Sequence, residues 1–283
     1  MKKTLLLLLS AICALTAYAQ KSVLFKMNYK PQHTYTSTIG MNMDMEMDFE
    51  GDSANLAKIK ESGQKLPMLM QMQMDMTTVM LTAQSKDNSI PLTISYDKIN
   101  SVVKMNGNML PSPPSPLLNQ KILGKVINDK LQFDSIPGKA LKTAEKEAMT
   151  SMINNLISSI KFPEKPLTVG DTFTQDVPMA LPIAGNNFDM KVKVIYKLME
   201  IKNDIAYFDF DQSLLADMNT SENMLMHMSG KGAGKMEYSI KDSFYKNTTS
   251  TIDITYSMNI KEMIMKGKAK MNSIYSVDIK PSK

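Results

Sequence analysis

From Met41 to Phe49 every second residue is apolar (Met41, Met43, Met45, Met47, Phe49), and Asn42, Asp44, Glu46 and Asp48 lie between them. A side-chain period of two marks a β-strand with one face toward a core and the other toward water. The pattern resumes at Met68, Met70, Met72, Met74 and Met76 and runs on through Thr78 and Met80. These segments are predicted to be neighbouring strands that carry methionine on a common face. Between them, Ser53 as an N-cap with Leu56 and Ile59 on one side predicts a short helical insert ending near Gly63 and Pro67. Further strands are expected over Leu92–Tyr96, Ile99–Met105, Gly124–Asn128 and Lys130–Asp134. In the second half they are expected over Thr172–Val177, Phe188–Glu200, Ile205–Leu214, Met224–Tyr238, Thr248–Ile260 and Met263–Val277. The proline-rich run Pro111–Pro116 cannot join a central ladder and reads as an extended surface loop.

After Pro137-Gly138 the period changes. Leu141, Ala144, Ala148, Met149, Met152, Ile153, Leu156, Ile157 and Ile160 recur mostly at steps of three and four, an apolar helical stripe that Phe162-Pro163 ends. The segments on either side share a layout. Thr34-Tyr35-Thr36 and Thr172-Phe173-Thr174 each open a long alternating strand, and Lys86-Asp87-Asn88 and Lys202-Asn203-Asp204 each form a polar turn. The expected fold is mainly β (α+β): two related antiparallel, curved sheets or half-barrels with one long amphipathic helix packed across them. Residues 20–137 and 162–283 form the repeats, and 138–161 the connecting helix. Two finer expectations follow. The acids at 44, 46 and 48 need cationic neighbours, which Lys191, Lys193 and Lys197 supply if their strand lies beside the first. Gly230, Gly232 and Gly234 share a strand face and would let the helix approach the sheet backbone.

The N-terminus narrows the compartment. Lys2 and Lys3, the apolar stretch Leu5–Leu15 and the small-x-small site Ala17-Tyr18-Ala19 form a secretory signal over residues 1–19, with cleavage after Ala19. The alternative, lipidation at Cys13, lacks a leucine three residues before and a small residue directly before the cysteine. With cleavage after Ala19 the mature chain has no thiol and is held by packing rather than by disulfides. No later segment approaches the apolar length of a transmembrane helix. The product is expected to be exported to the periplasm or beyond.

Composition removes most chemistry. The charge of +5 falls to +3 without Lys2 and Lys3, and arginine is absent, so nucleic-acid binding is not indicated. His33 and His227 are the only imidazoles, and neither G-x-S-x-G nor H-E-x-x-H occurs. Gly230–Lys235 lacks the spacing of a phosphate loop, and the calcium-like stretch Glu46–Gly51 has Ala57 where a bidentate glutamate is required. No catalytic residue, metal site or cofactor is assigned, and an enzyme is not expected.

The 28 methionines are the one unusual feature. Methionine is flexible and suits surfaces that accept varied apolar partners. Three readings compete: packing filler on a buried sheet face, the lining of a groove for a lipid, and thioether ligation of Cu(I), a soft ion. In the best local copper candidate, Met224-Leu225-Met226-His227-Met228, a strand would turn His227 away from the thioethers. The favoured expectation is a non-catalytic binding protein for a hydrophobic or lipid-like ligand, contacted by Met43, Met45, Met47, Met72, Met74 and Met76. The alternatives are a Cu(I)-binding protein and a structural or interaction protein of the cell envelope.

The signal peptide, the two methionine strands, Phe162-Pro163-Glu164-Lys165-Pro166 leading into Val169-Gly170-Asp171-Thr172-Phe173, and Gly230–Gly234 together resemble an exported Bacteroidota family, the domain of unknown function numbered 6263. That resemblance implies an architecture and carries no catalytic residues. It also implies O-glycosylation motifs at Asp52-Ser53-Ala54 and Asp134-Ser135-Ile136. At fold level the layout is similar to periplasmic lipoprotein carriers with an incompletely closed barrel, which implies lipid binding.

Overall fold

The computed structural model describes residues 22–51, 56–57, 61, 65–111, 115, 117–118, 120–128, 130–135, 160–183, 186–219, 225–260 and 263–282. The signal segment and nearly all of 138–161 lie outside these residues.

The long alternating runs form long strands. The first half contains β1 (His33–Gly51), β2 (Met68–Thr82), β3 (Ser89–Met105), β4 (Asn108–Leu110), β5 (Lys121–Ile127) and β6 (Lys130–Ser135). The second contains β7 (Thr172–Ile183), β8 (Asn186–Lys202), β9 (Ile205–Asn219), β10 (Leu225–Ser239), β11 (Phe244–Ile260) and β12 (Met263–Pro281). Leu92–Tyr96 and Ile99–Met105, expected as two strands, are one. Asp87-Asn88 and Asn203-Asp204 turn the chain at the polar sites expected, each pair at positive φ, the geometry that matches a tight hairpin to the twist of its strands.

The expected architecture is corrected. All twelve strands belong to one antiparallel sheet, in the order β6-β5-β3-β2-β1-β12-β11-β10-β9-β8-β7 with β4 paired to β3. The two halves are thus two meanders fused edge to edge, because the first and last strands pair from His33↔Pro281 to Gly51↔Met263. Apart from Leu56, Ala57 and Glu61 in the short insert, no described residue is helical. The amphipathic helix expected over 138–161 lies outside the described residues except for its last two, Ile160 and Lys161, which are not helical. In the short insert, Leu56, Ala57 and Glu61 have helical backbone, while Ser53 and Ile59 lie outside the described residues. Pro178 and Pro182 lie in β7, an edge strand where a missing ladder donor is tolerated.

One face of this sheet, the inner face, carries the core. Register shifts at Thr77/Thr78, Leu123/Gly124, Leu198/Glu200 and Glu237/Tyr238 bend the strands. At the end of the sheet that holds Tyr35, Phe208, Tyr238 and Phe244 the inner face is filled with rings. The segment Ser22–Lys30 crosses it: Phe25 stacks on Phe162 at 5.5 Å and meets Phe208 and Tyr238 edge-on, and Tyr29 packs against Tyr35 and Phe244. Tyr238 donates to the Lys26 carbonyl (2.5 Å), Val23 and Leu167 exchange backbone hydrogen bonds, and Lys30 pairs with Asp242 at 2.9 Å.

The outer face carries the charges, and here too an expectation is corrected. The β1 acids do not meet Lys191, Lys193 and Lys197, whose strand, β8, is separated from β1 by four others. They face β12: Asp44 opposes Lys270, Glu46 opposes Lys268 and Asp48 opposes Lys266. Glu46 pairs with Lys268 at 3.0 Å, and Lys266 reaches diagonally to Glu50 at 2.6 Å. Lys193 and Lys197 instead oppose Asp176 and Asp209.

Candidate functional site

Register gathers the methionines. Met47 pairs with Met68, Met45 with Met70, Met43 with Met72 and Met41 with Met74, and across the other ladder Met43 opposes Met271. Met105 extends the row beyond Met70. All lie on the inner face, since Tyr35 on β1 and Met80 on β2 have the same parity and are buried in the core. The six residues singled out in the sequence are therefore brought onto one surface, with Met76 opposite Ile39 one step toward the aromatic end.

Exposure changes along this face. At the aromatic end Tyr35 is 2%, Val277 5% and Met80 9% exposed. At the other end Met43, Met45, Met47, Met72, Met74 and Met76 are all only half-buried. Met226, Met228 and Met258, in the second half, are buried. The soft end of the face thus runs over β3, β2, β1 and β12. Met271 and Met265 belong to it and escaped the sequence reading. Gly267 and Ala269 interrupt their alternation, and nothing local reveals that the last strand lies beside the first.

The face is uncharged. Beyond His33 at the start of β1, the described inner positions along β1, β2, β3, β12, β11, β10 and β9 carry no Asp, Glu, Lys or His. Two buried side-chain atoms among the described residues make no hydrogen bond, Tyr256 Oη and Gln212 Oε1, and both belong to this face. An unsatisfied buried group of this kind costs about 1–3 kcal/mol. The ring and hydroxyl of Tyr256 occupy the place where a side chain at Gly267 would stand, next to Met47 in the register. Burial pushes the Tyr256 phenol up to about 12, so it is a protonated donor at neutral pH.

The inner glycines have a different purpose from the one expected. A Cβ at Gly234 would collide with the Phe210 ring and the Thr249 carbonyl, and Gly230 and Gly232 are covered by Ile254 and Ile252. Neighbouring strands, rather than a helix, use the space.

The outer face contains grooves. One of about 700 Å³ is bordered by Asp44, Glu46, Gln71, Asp253, Lys268 and Lys270. Its polar groups engage one another, with Gln71 donating to Asp44 at 3.1 Å beside the Glu46–Lys268 pair. The charged part of its wall is a solvated ladder, and Leu69, Met70 and Ile254 border the rest. His227 also lies outside, with Nδ1 at 2.6 Å from Asp217, while Met226 and Met228 point inward, so these side chains do not converge on one ion. Ser229, beside His227 on that face, bonds Thr255 at 2.9 Å, and His33 Nδ1 contacts the Pro31 carbonyl at 2.8 Å. No group of three or more His, Cys, Asp or Glu able to hold a metal exists among the described residues. Among them no helix is long and apolar enough to cross a membrane.

No family model matches the chain, and no curated protein matches it at a significant level. Among solved structures the chain is similar to lipovitellin, in a structure concerning its lipid–protein interactions, at TM-score 0.49 and 10% identity over 90% of this chain and 26% of that one. It spans about a quarter of that protein's length. Lower similarity is found to the Pseudomonas aeruginosa secretin XcpQ (TM-score 0.21, 7% identity, 99% of this chain and 64% of that one). The same holds for OccK11 of that organism (TM-score 0.21, 7% identity, 90% and 100%).

Proposed function

We propose that this chain is an exported, non-catalytic binding protein for a hydrophobic or lipid-like ligand, seated against the methionine end of the inner face. One observation carries the reading. The same face is closed by aromatic packing at one end and only partly buried at the other, where Met43, Met45, Met47, Met72 and Met74 line it. An apolar surface that served only as core would be expected to be filled throughout, since protein interiors pack to crystal density. Methionine suits a surface that must re-form around a flexible chain, because its side chain is unbranched and polarizable. Export rests on the signal sequence at residues 1–19.

Native mass spectrometry of the protein purified from its host tests this reading. A co-purifying lipid supports it. Bound copper favours thioether ligation instead. A bare chain that takes up no lipid when one is added contradicts the proposal.

A further inference from the structure

The charge distribution and the two orphaned polar atoms narrow the ligand class. The described lysines and acids of β1, β12, β11 and β10 lie on the outer face, where Lys270 stands between Asp44 and Asp253 and Lys231 opposes Asp253. An ionised carboxylate or phosphate moved onto the inner face would give up its hydration and meet no cation. The polar group that this face accepts is therefore neutral. Tyr256 Oη, on a residue 9% exposed, is buried without a partner in the midst of this surface. Gly267 leaves the space in which that hydroxyl lies, beside Met47. A phenol that stays protonated supplies a donor, and a donor in an apolar surrounding is satisfied by an uncharged acceptor. A pure hydrocarbon offers none, and a fatty acid offers one at the cost of a charge. Met47, opposite Gly267, and Met45 beside it are only partly buried and have flexible side chains, so a ligand would reach the hydroxyl by displacing them.

We propose that the inner face takes a neutral acyl ester, its chain along the methionines and its carbonyl accepting a hydrogen bond from the Tyr256 hydroxyl. This rests on the hydrophobic-ligand reading and specifies it. Gln212 Oε1, four residues along the register and two strands away, is too far to reach the same carbonyl, at roughly 16 Å between backbones from standard strand spacings. It is not part of the proposed contact.

The experiment is a fluorescence titration of the mature chain, after extraction of bound lipid, with three probes of matched length at pH 8. These are the methyl ester of pyrenedecanoic acid, the free acid, and decylpyrene. The ester is expected to bind about tenfold or more tighter than the ionised acid. Tyr256→Phe should weaken the ester about 3–10-fold, the worth of one hydrogen bond, and leave decylpyrene unchanged. Equal binding of ester and acid overturns the inference. So does a Tyr256→Phe variant that weakens ester and decylpyrene alike, or neither. If no probe binds the wild-type chain, the hydrophobic-ligand reading itself fails, an outcome distinct from binding without ester preference.

Discussion

Single side chains decide where this protein is tight and where it is soft. Tyr256→Phe removes a buried hydroxyl that has no partner. Without ligand the variant should be as stable as wild type or more so, by about 1 kcal/mol, in chemical denaturation. A marked loss of stability would mean that the hydroxyl is bonded in solution. Asp242 makes the opposite case. Burial raises its carboxyl, but hydrogen bonds from Lys30 and Ser239 outweigh that effect and hold it below the usual range. Its contribution is present above the unfolded value of 3.8 and disappears as pH falls through the lower folded value. Asp242→Asn should cost about 1 kcal/mol at pH 7 and flatten the acid limb of the stability profile. The tyrosines govern the alkaline limb. Burial holds Tyr196 and Tyr256 at about 12 against 10.0 unfolded. The folded state thus keeps protons that the unfolded chain loses, and stability should fall as pH rises from 10 toward 12. Thermal melts across that range check the sign.

At the scale of strands, much was legible and partner choice was not. Period-two alternation located nearly all the long strands and put the methionines of β1 and β2 on one face, because a one-residue slip would bury Asp44 and Glu46. The polar turns at Asp87-Asn88 and Asn203-Asp204 were readable for the same local reason. What could not be read was which lysine strand answers the β1 acids. Lys191 and Lys193 on β8, and Lys266, Lys268 and Lys270 on β12, present the same alternation, and only the closing of the chain between its first and last strands chooses. The orphaned Tyr256 was equally hidden, since its position depends on lying across Gly267 of a neighbouring strand. Two predictions belong here. Lys270→Glu places a third carboxylate between Asp44 and Asp253 and should cost about 1 kcal/mol, recovered in part when Asp44 is changed to Lys as well; thermal unfolding of the single and double variants measures both. Gly234→Ala drives a methyl group into the Phe210 ring and the Thr249 carbonyl and should cost about 1–3 kcal/mol in a urea titration.

Among the described residues the strands form one sheet whose end strands are β6 and β7 and whose middle is the β1–β12 seam. Its inner face divides into an aromatic end, crossed by Ser22–Lys30, and a methionine end that stays partly exposed. That division underlies the functional reading, and methyl NMR observes it directly. With ¹³C-methyl methionine incorporated, the protein is titrated with the pyrenedecanoic methyl ester. The account predicts that the resonances of Met43, Met45, Met47, Met72 and Met74 shift together. Met236 and Met80, packed at the aromatic end, should stay in place, as should Met109 and Met199, which are exposed. Saturable binding that shifts only Met109 or Met199, or that leaves the five inner methionines unmoved, would contradict the assignment of this face as the binding surface.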